Sequence, residues 1–311
     1  MVDALKKLKG NNRQLLIGVL FFALFILVGA ITLVLIDNAK VNTSTEDTQV
    51  LLDDGTCSVE YAQALEEDAE GSFNQYNIEE DDVYEILNLV KPTVIISALR
   101  GDFSKQVLVH EHLTEYVFSN KTKLLFISSA NVFDGYSKYP SYEQDKTYSN
   151  SIYGHFKIKI ENMLLRLPKK QVAVLILPMV FGAQSPRVLE MLKLCNEKAP
   201  IEVFPNLIMN VTTDSKVTQQ IHYIINRNKS GIFHLGSEDL VHHDDFIKEI
   251  ISALEFKTLP IYKRVYTTND DRYLAVLPKF NKLPKHLQLK SQDILTELKI
   301  YLILSEQMIK L

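Results

Sequence analysis

LLFISSANVFDG, residues 124–135, reads as a strand buried on both faces that runs out into a polar turn. Leu124 to Ile127 are apolar without alternation, as in a sheet strand covered on both sides. Ser129 stands at its carboxyl end, the edge at which open α/β sheets hold ligands. After a polar stretch comes SIYGHFKIKIENMLLRL, residues 151–167, where Ile152, Phe156, Ile160, Met163 and Leu164 recur at helical spacing. Such a helix puts Tyr153 and Lys157 one turn apart on one face. An ammonium beside a phenol favours phenolate and lowers the tyrosine pKa from its free value of about 10. With Ser129 placed to orient a carbonyl, this is equipment for carbonyl reduction by a nicotinamide. The same spacing recurs at Tyr142 and Lys146, but within YPSYEQDKTYSN, a polar run that reads as loop.

The block as a whole resembles the extended short-chain dehydrogenase/reductases, and within them the dTDP-4-dehydrorhamnose reductase-like branch. The resemblance lies in a strand ending in VFDG, a Pro-Ser-Tyr-Glu-Gln-Asp loop at 140–145, then Tyr153-Gly-x-x-Lys157 with Glu161 one turn later. It implies Ser129 as the catalytic hydroxyl, Tyr153 as the acid and Lys157 as its partner and ribose ligand. Ser97, Ala98 and Pro178 would join Tyr153 and Lys157 around the cofactor, NAD or NADP. Glu161 matches an acidic position on the same helix. Ala130 and Asn131 stand where the branch usually has Asp and Tyr. Upstream, VYEILNLVKPTVIISALRGDF (83–103) fits a helix, a Lys-Pro break and a buried strand. Downstream, QVAVLILPMVFG (171–182) fits the next strand, and GIFHLGSEDLVHHDDFIKEI (231–250) the start of a substrate-lobe helix. The implied substrate is a nucleotide-activated 4-keto-deoxysugar, and oligomerisation stays open.

The amino-terminal quarter departs from that pattern. A nucleotide-binding strand usually opens on a Gly-x-x-Gly-x-x-Gly turn, which lets the backbone approach the pyrophosphate. Here Phe21 and Leu24 occupy the positions at which glycines would follow Gly18. Leu15 to Ile36 carries no charge, and a membrane-spanning helix needs roughly 20 such residues. Lys6, Lys7, Lys9 and Arg13 precede it and acidic residues follow, the flanks of a single-pass span with its amino terminus inside. The alternative is a buried strand–helix–strand of a degenerate nucleotide-binding unit. Length favours a span over 15–36, giving a basic flank (1–14), a linker (37–47) and an α/β domain (48–311) whose substrate lobe starts near 183. A reductase outside the cell would lack its nicotinamide, so the side of the membrane is left undecided.

Between Val41 and Val90 there is no Lys or Arg but 14 Asp and Glu. TQVLLDD (48–54) reads as a second strand or as acidic linker. As a strand it ends in Asp53, able to accept a ribose 2′-hydroxyl and to disfavour a 2′-phosphate, a lean toward NAD. SFNQYNI (72–78) would be the third strand. A net charge of −4 and the lack of a basic patch exclude nucleic acid, and two distant cysteines make neither a disulfide framework nor a zinc site. His110-x-His112 and His242-His-Asp-Asp245 contain metal-ligand types, but each reads as an ordinary helix face or helix start. The expected architecture is a Rossmann-like parallel sheet with a smaller carboxy-terminal lobe and an amino-terminal transmembrane helix. Its function is either carbonyl reduction or, with the cofactor loop lost, non-catalytic binding.

Overall fold

The computed structural model describes residues 31–36, 48–53, 73–75, 78, 81–183, 185–254 and 260–309. Seven strands form one sheet, several of them from unbroken apolar runs. They are Ile31–Ile36 (β1), Thr48–Asp53 (β2), Phe73–Gln75 (β3), Val94–Ala98 (β4), Lys123–Ser129 (β5), Val172–Leu177 (β6) and Gly231–His234 (β11). Their order across the sheet is β11-β6-β5-β4-β1-β2-β3. β4 pairs in parallel with β5, and β2 with β3. Every residue of β6 is buried, as the doubly covered strand pattern requires.

β1 corrects the transmembrane expectation. Ile31–Ile36 is a strand inserted between β2 and β4, with Ile31 opposite Asp53 and Thr32 opposite Ala98. Among the described residues no helix is long and apolar enough to cross a membrane, so the single-pass reading falls with the span. The rest of the supposed span, residues 15–30, lies outside the described residues, as do Gly18, Phe21 and Leu24. The physical reason is that an uncharged run is equally the signature of a strand buried in a sheet. ITLVLI is rich in β-branched residues, which suit a pleated surface better than a helix.

β1 also runs antiparallel to both of its neighbours. Ile36, its last residue, lies opposite Val94, the first residue of β4. The chain therefore leaves β1 at the edge opposite the carboxyl ends of β4 and β5, where a dinucleotide-binding turn belongs.

The helices are Val83–Val90 (α1), Phe103–Asn120 (α2), Ile152–Leu164 (α3), Pro186–Asn196 (α4), Asp214–Asn226 (α5), His243–Ala253 (α6) and Ser291–Ile309 (α7). Asp82 caps α1, which ends on a left-handed Lys91 (φ 51°) before Pro92, the expected Lys-Pro break. Two compact units divide the chain: Met1–Ser128 with Phe156–Leu175 and Thr218–Ile232, and Ser129–His155 with Ile176–Val217 and Phe233–Leu311. The first is cored by Ile95, Leu113, Val117, Leu125, Ile160 and Val174. The second is cored by Phe181, Met191, Val203, Met209, Phe246 and Leu298. Small sheets of two or three strands complete it, built from Met179–Val180 (β7), Pro200–Val203 (β8), Leu207–Met209 (β9), Val211–Thr212 (β10), Val241–His242 (β12), Ile261–Arg264 (β13) and Arg272–Leu274 (β14).

Candidate functional site

In the second unit, Ser129 ends β5 and caps a single 3₁₀ turn, Ala130–Phe133. Its hydroxyl donates to Asn131 Oδ1 at 3.0 Å. The Asn131 N–H returns a bond to Ser129 Oγ at 3.3 Å. Ser129 is thus held locally by Asn131, one of the two positions at which the sequence departs from its branch. It is half-buried.

Asp134, the acid of the VFDG turn, ties down the start of the Tyr153 helix. Its Oδ1 accepts from Ser149 Oγ at 2.8 Å and from the Asn150 N–H at 2.6 Å. Its Oδ2 accepts from Ser151 Oγ at 2.6 Å, and Ser151 Oγ in turn accepts from the Gly154 N–H at 3.0 Å. Burial pushes the carboxyl up, but the donors from Ser151, Asn150 and Ser149, with Arg272, leave it below its ordinary value. Gly154 is required by proximity. A β-carbon there would sit 2.0 Å from Ser149 Oγ and 2.4 Å from the Asn131 carbonyl oxygen. Tyr153 stays 39% exposed.

In the first unit, α3 carries Lys157, one turn beyond Tyr153. Lys157 is buried, and its Nζ donates to the Ile127 carbonyl at 3.1 Å. The nitrogen lies 4.7 Å from the centre of the Phe126 ring and 5.2 Å from that of Phe156. Burial lowers its pKa to about 8, and Glu161 lifts it. Glu161 is buried too and accepts a short hydrogen bond from Ser128 Oγ. Burial raises its carboxyl to about 7, against the pull of Ser128 and Lys157. Of the apolar positions read from the sequence, Phe156, Ile160 and Leu164 are buried, whereas Ile152 is 80% exposed.

Ser97 and Ala98 end β4 in the first unit. Ser97 is fully buried and engaged: its Oγ lies 2.9 Å from His110 Nε2, and His110 Nδ1 lies 2.6 Å from the Gln106 carbonyl. A carbonyl only accepts, so Nδ1 carries the proton and Ser97 donates to Nε2. Burial lowers His110 to about 3. His110, noticed in the sequence only as a possible metal ligand, is a neutral acceptor. Pro178 lies in the second unit beside Gly236, where an added β-carbon would meet Pro178 Cγ at 2.8 Å. Asp53 closes β2 opposite Ile31, at the carboxyl edge. The loop reading of Tyr142 and Lys146 agrees with the turn there, where Asp145 accepts from the Tyr142 N–H at 2.8 Å. His243 opens α6, buried, with Nδ1 accepting from the Phe204 N–H at 3.3 Å.

A nicotinamide cofactor fits these residues at one end. A partly exposed phenol and a buried amine stand one turn apart along α3. At the other end, β1 runs antiparallel to β2 and β4, so its carboxyl end lies at the opposite edge from theirs. The first free N–H groups of α2 after β4, at Ser104 and Lys105, are taken by Asp102 at 2.8 and 3.0 Å. Among the described residues no backbone cradle for a pyrophosphate is present.

The strand order and the Tyr-x-x-x-Lys helix after β5 define the class, a Rossmann-like α/β fold of the extended short-chain dehydrogenase type. The chain belongs to the RmlD substrate binding domain family, whose model matches residues 102–302. It is 25% identical over 230 residues to dTDP-4-dehydrorhamnose reductase of Aggregatibacter actinomycetemcomitans, covering 66% of this chain and 78% of that one. The solved dTDP-4-dehydrorhamnose reductase of Bacillus anthracis in complex with NADP superimposes with a TM-score of 0.63 at 18% identity, over 77% of this chain and 95% of that one. The dTDP-glucose 4,6-dehydratase of the same organism in complex with NAD gives 0.65 at 16%, over 80% and 84%. At such identities the two structures establish the likeness of fold.

Proposed function

We propose that this chain is a nicotinamide-dependent reductase acting on the keto group of a nucleotide-linked 4-keto-deoxysugar. The observation that carries the reading is the pairing on α3 of a partly exposed Tyr153 with a buried Lys157 one turn later. Family membership and the reductase relative support it. In this reading Tyr153 delivers the proton to the oxyanion that forms as the carbonyl is reduced, general acid catalysis worth about 10²–10⁴-fold. Lys157, positively charged, lowers the cost of the phenolate left behind. Ser129 turns its hydroxyl from Asn131 to the substrate oxygen and stabilises the developing charge. A bound nicotinamide supplies the hydride. Asp53 at the carboxyl end of β2 favours NAD over NADP, since a carboxylate there accepts a 2′-hydroxyl and repels a 2′-phosphate.

The experiment is titration of the full-length chain with NADH and with NADPH, followed by reduced-nicotinamide fluorescence. The chain has no Trp to obscure that signal. Saturable binding, with NADH tighter, supports the reading and justifies assays on keto-sugar nucleotides. Tyr153→Phe then abolishes turnover and leaves binding and folding unchanged. A folded chain that binds neither supports the second reading, a non-catalytic binding relative. The specific observations favouring that alternative are the reversed β1 and the missing glycine turn.

A further inference from the structure

Lys157 and Glu161 are both almost completely removed from water, at 5% and 2% exposure, one turn apart on the same face of α3. Adjacent residues of β5 hold the two heads. The Ile127 carbonyl accepts from Lys157 Nζ, and the Ser128 hydroxyl donates to the Glu161 carboxylate. An amine buried against the Phe126 and Phe156 rings is poorly solvated as a cation. Desolvation drives such a group toward the neutral form unless an opposite charge is supplied nearby. His110 of α2 also acts on Lys157, and its tautomer, fixed by Gln106 and Ser97, keeps it uncharged. Glu161 supplies Lys157 with a countercharge from the same helix.

We propose that Glu161 acts through Lys157: its carboxylate, oriented by Ser128, keeps the buried amine in the ammonium form that Tyr153 needs. This positioning role rests on the reductase reading above, but it is measured on the free protein. The Nζ-adjacent carbon of Lys157, ¹³C-labelled and assigned by the signal lost in Lys157→Met, is titrated by NMR in the full chain. In parallel, the Tyr153 phenol is followed by the phenolate absorbance that Tyr153→Phe removes.

Glu161→Gln keeps an oxygen for Ser128 to donate to and deletes the charge. The Lys157 midpoint should then fall by about one unit or more, and the Tyr153 midpoint should rise. Glu161→Asp retains the charge and should restore most of both values. Ser128→Ala leaves both ionisable groups in place but removes the donor that favours the carboxylate, so the Lys157 midpoint should fall by a smaller amount. It carries the test if Glu161→Gln does not fold. A Lys157 midpoint unchanged in folded Glu161→Gln, or unchanged in Ser128→Ala if Glu161→Gln does not fold, overturns the proposal. Wild-type turnover with an identical pH profile in Glu161→Gln also overturns it while leaving the reductase reading standing. A Lys157 midpoint that falls as expected, in a protein that turns over no keto-sugar nucleotide with either cofactor, upholds the Glu161–Lys157 linkage and removes the reductase reading instead.

Discussion

Replacing Asp134 tests whether the VFDG turn works as the anchor of the Tyr153 helix. The carboxylate accepts from two hydroxyls and one backbone N–H, and each hydrogen bond to a charged group contributes about 1.5–3 kcal/mol net. In Asp134→Ala, Ser149 and Ser151 can rotate toward each other, already 3.1 Å apart, but the Asn150 N–H has no such freedom. The expected loss is therefore less than the sum, about 3 kcal/mol. At about 2–4 °C per kcal/mol for a domain of this size, the melting temperature should drop by about 6–12 °C. Asp134→Asn keeps an oxygen for the Asn150 N–H and should cost about 1 kcal/mol. The pH dependence is signed. The folded carboxyl lies below its ordinary 3.8, so its contribution is present in full above that value. It is lost as pH falls through the lower folded value. Thermal unfolding by circular dichroism across pH 3–8 measures all three quantities. An Asp134→Ala protein melting within about 2 °C of wild type would refute the anchoring role.

Gly154→Ala forces a methyl against Ser149 and the Asn131 backbone. It should cost about 1–3 kcal/mol by overpacking and reduce turnover by displacing Tyr153, read as lower kcat with binding retained. Asn131→Ala releases the Ser129 hydroxyl and should leave stability within about 1 kcal/mol; in the reductase reading it raises or preserves kcat, whereas Ser129→Ala lowers it. Asp214 shows the opposite linkage to Asp134. Burial, chiefly, and then Glu297 raise its carboxyl to about 6, so the folded state holds a proton that the unfolded chain has released. Stability should fall as pH rises between about 4 and 6. Asp214→Asn should accordingly melt higher than wild type at pH 7.5 and lose that advantage at pH 4.5.

Much of the fold was legible because it depends on local patterns. The mainly apolar runs at 94–98, 124–127 and 172–177 read as covered strands. The Lys91-Pro92 break and the helical period after Ser151 needed no partner to be recognised. Residues 31–36 were misread because an uncharged run has the same composition in a bilayer as between two strands; only its neighbours decide, and those neighbours are non-local. Tyr153 and Lys157 were picked out by their spacing on one element. Asp134 and Ser151 were passed over, and His110 was read as an ordinary helix face, because their roles exist only through bonds to other segments. The fully buried Ser97 was named for a cofactor, but it is committed to His110.

The position of β1 has a consequence for synthesis. It is made before either of its partners, β2 and β4. Until Val94–Ala98 has left the ribosome, the nascent chain carries an apolar, β-branched segment with at least one open edge. Such edges template pairing with other chains, and the acidic, lysine-free stretch that follows places repelling charge beside the segment during that interval. Expression that stalls or truncates between residues 54 and 93 should therefore yield aggregates, whereas chains completed past β4 should stay dispersed.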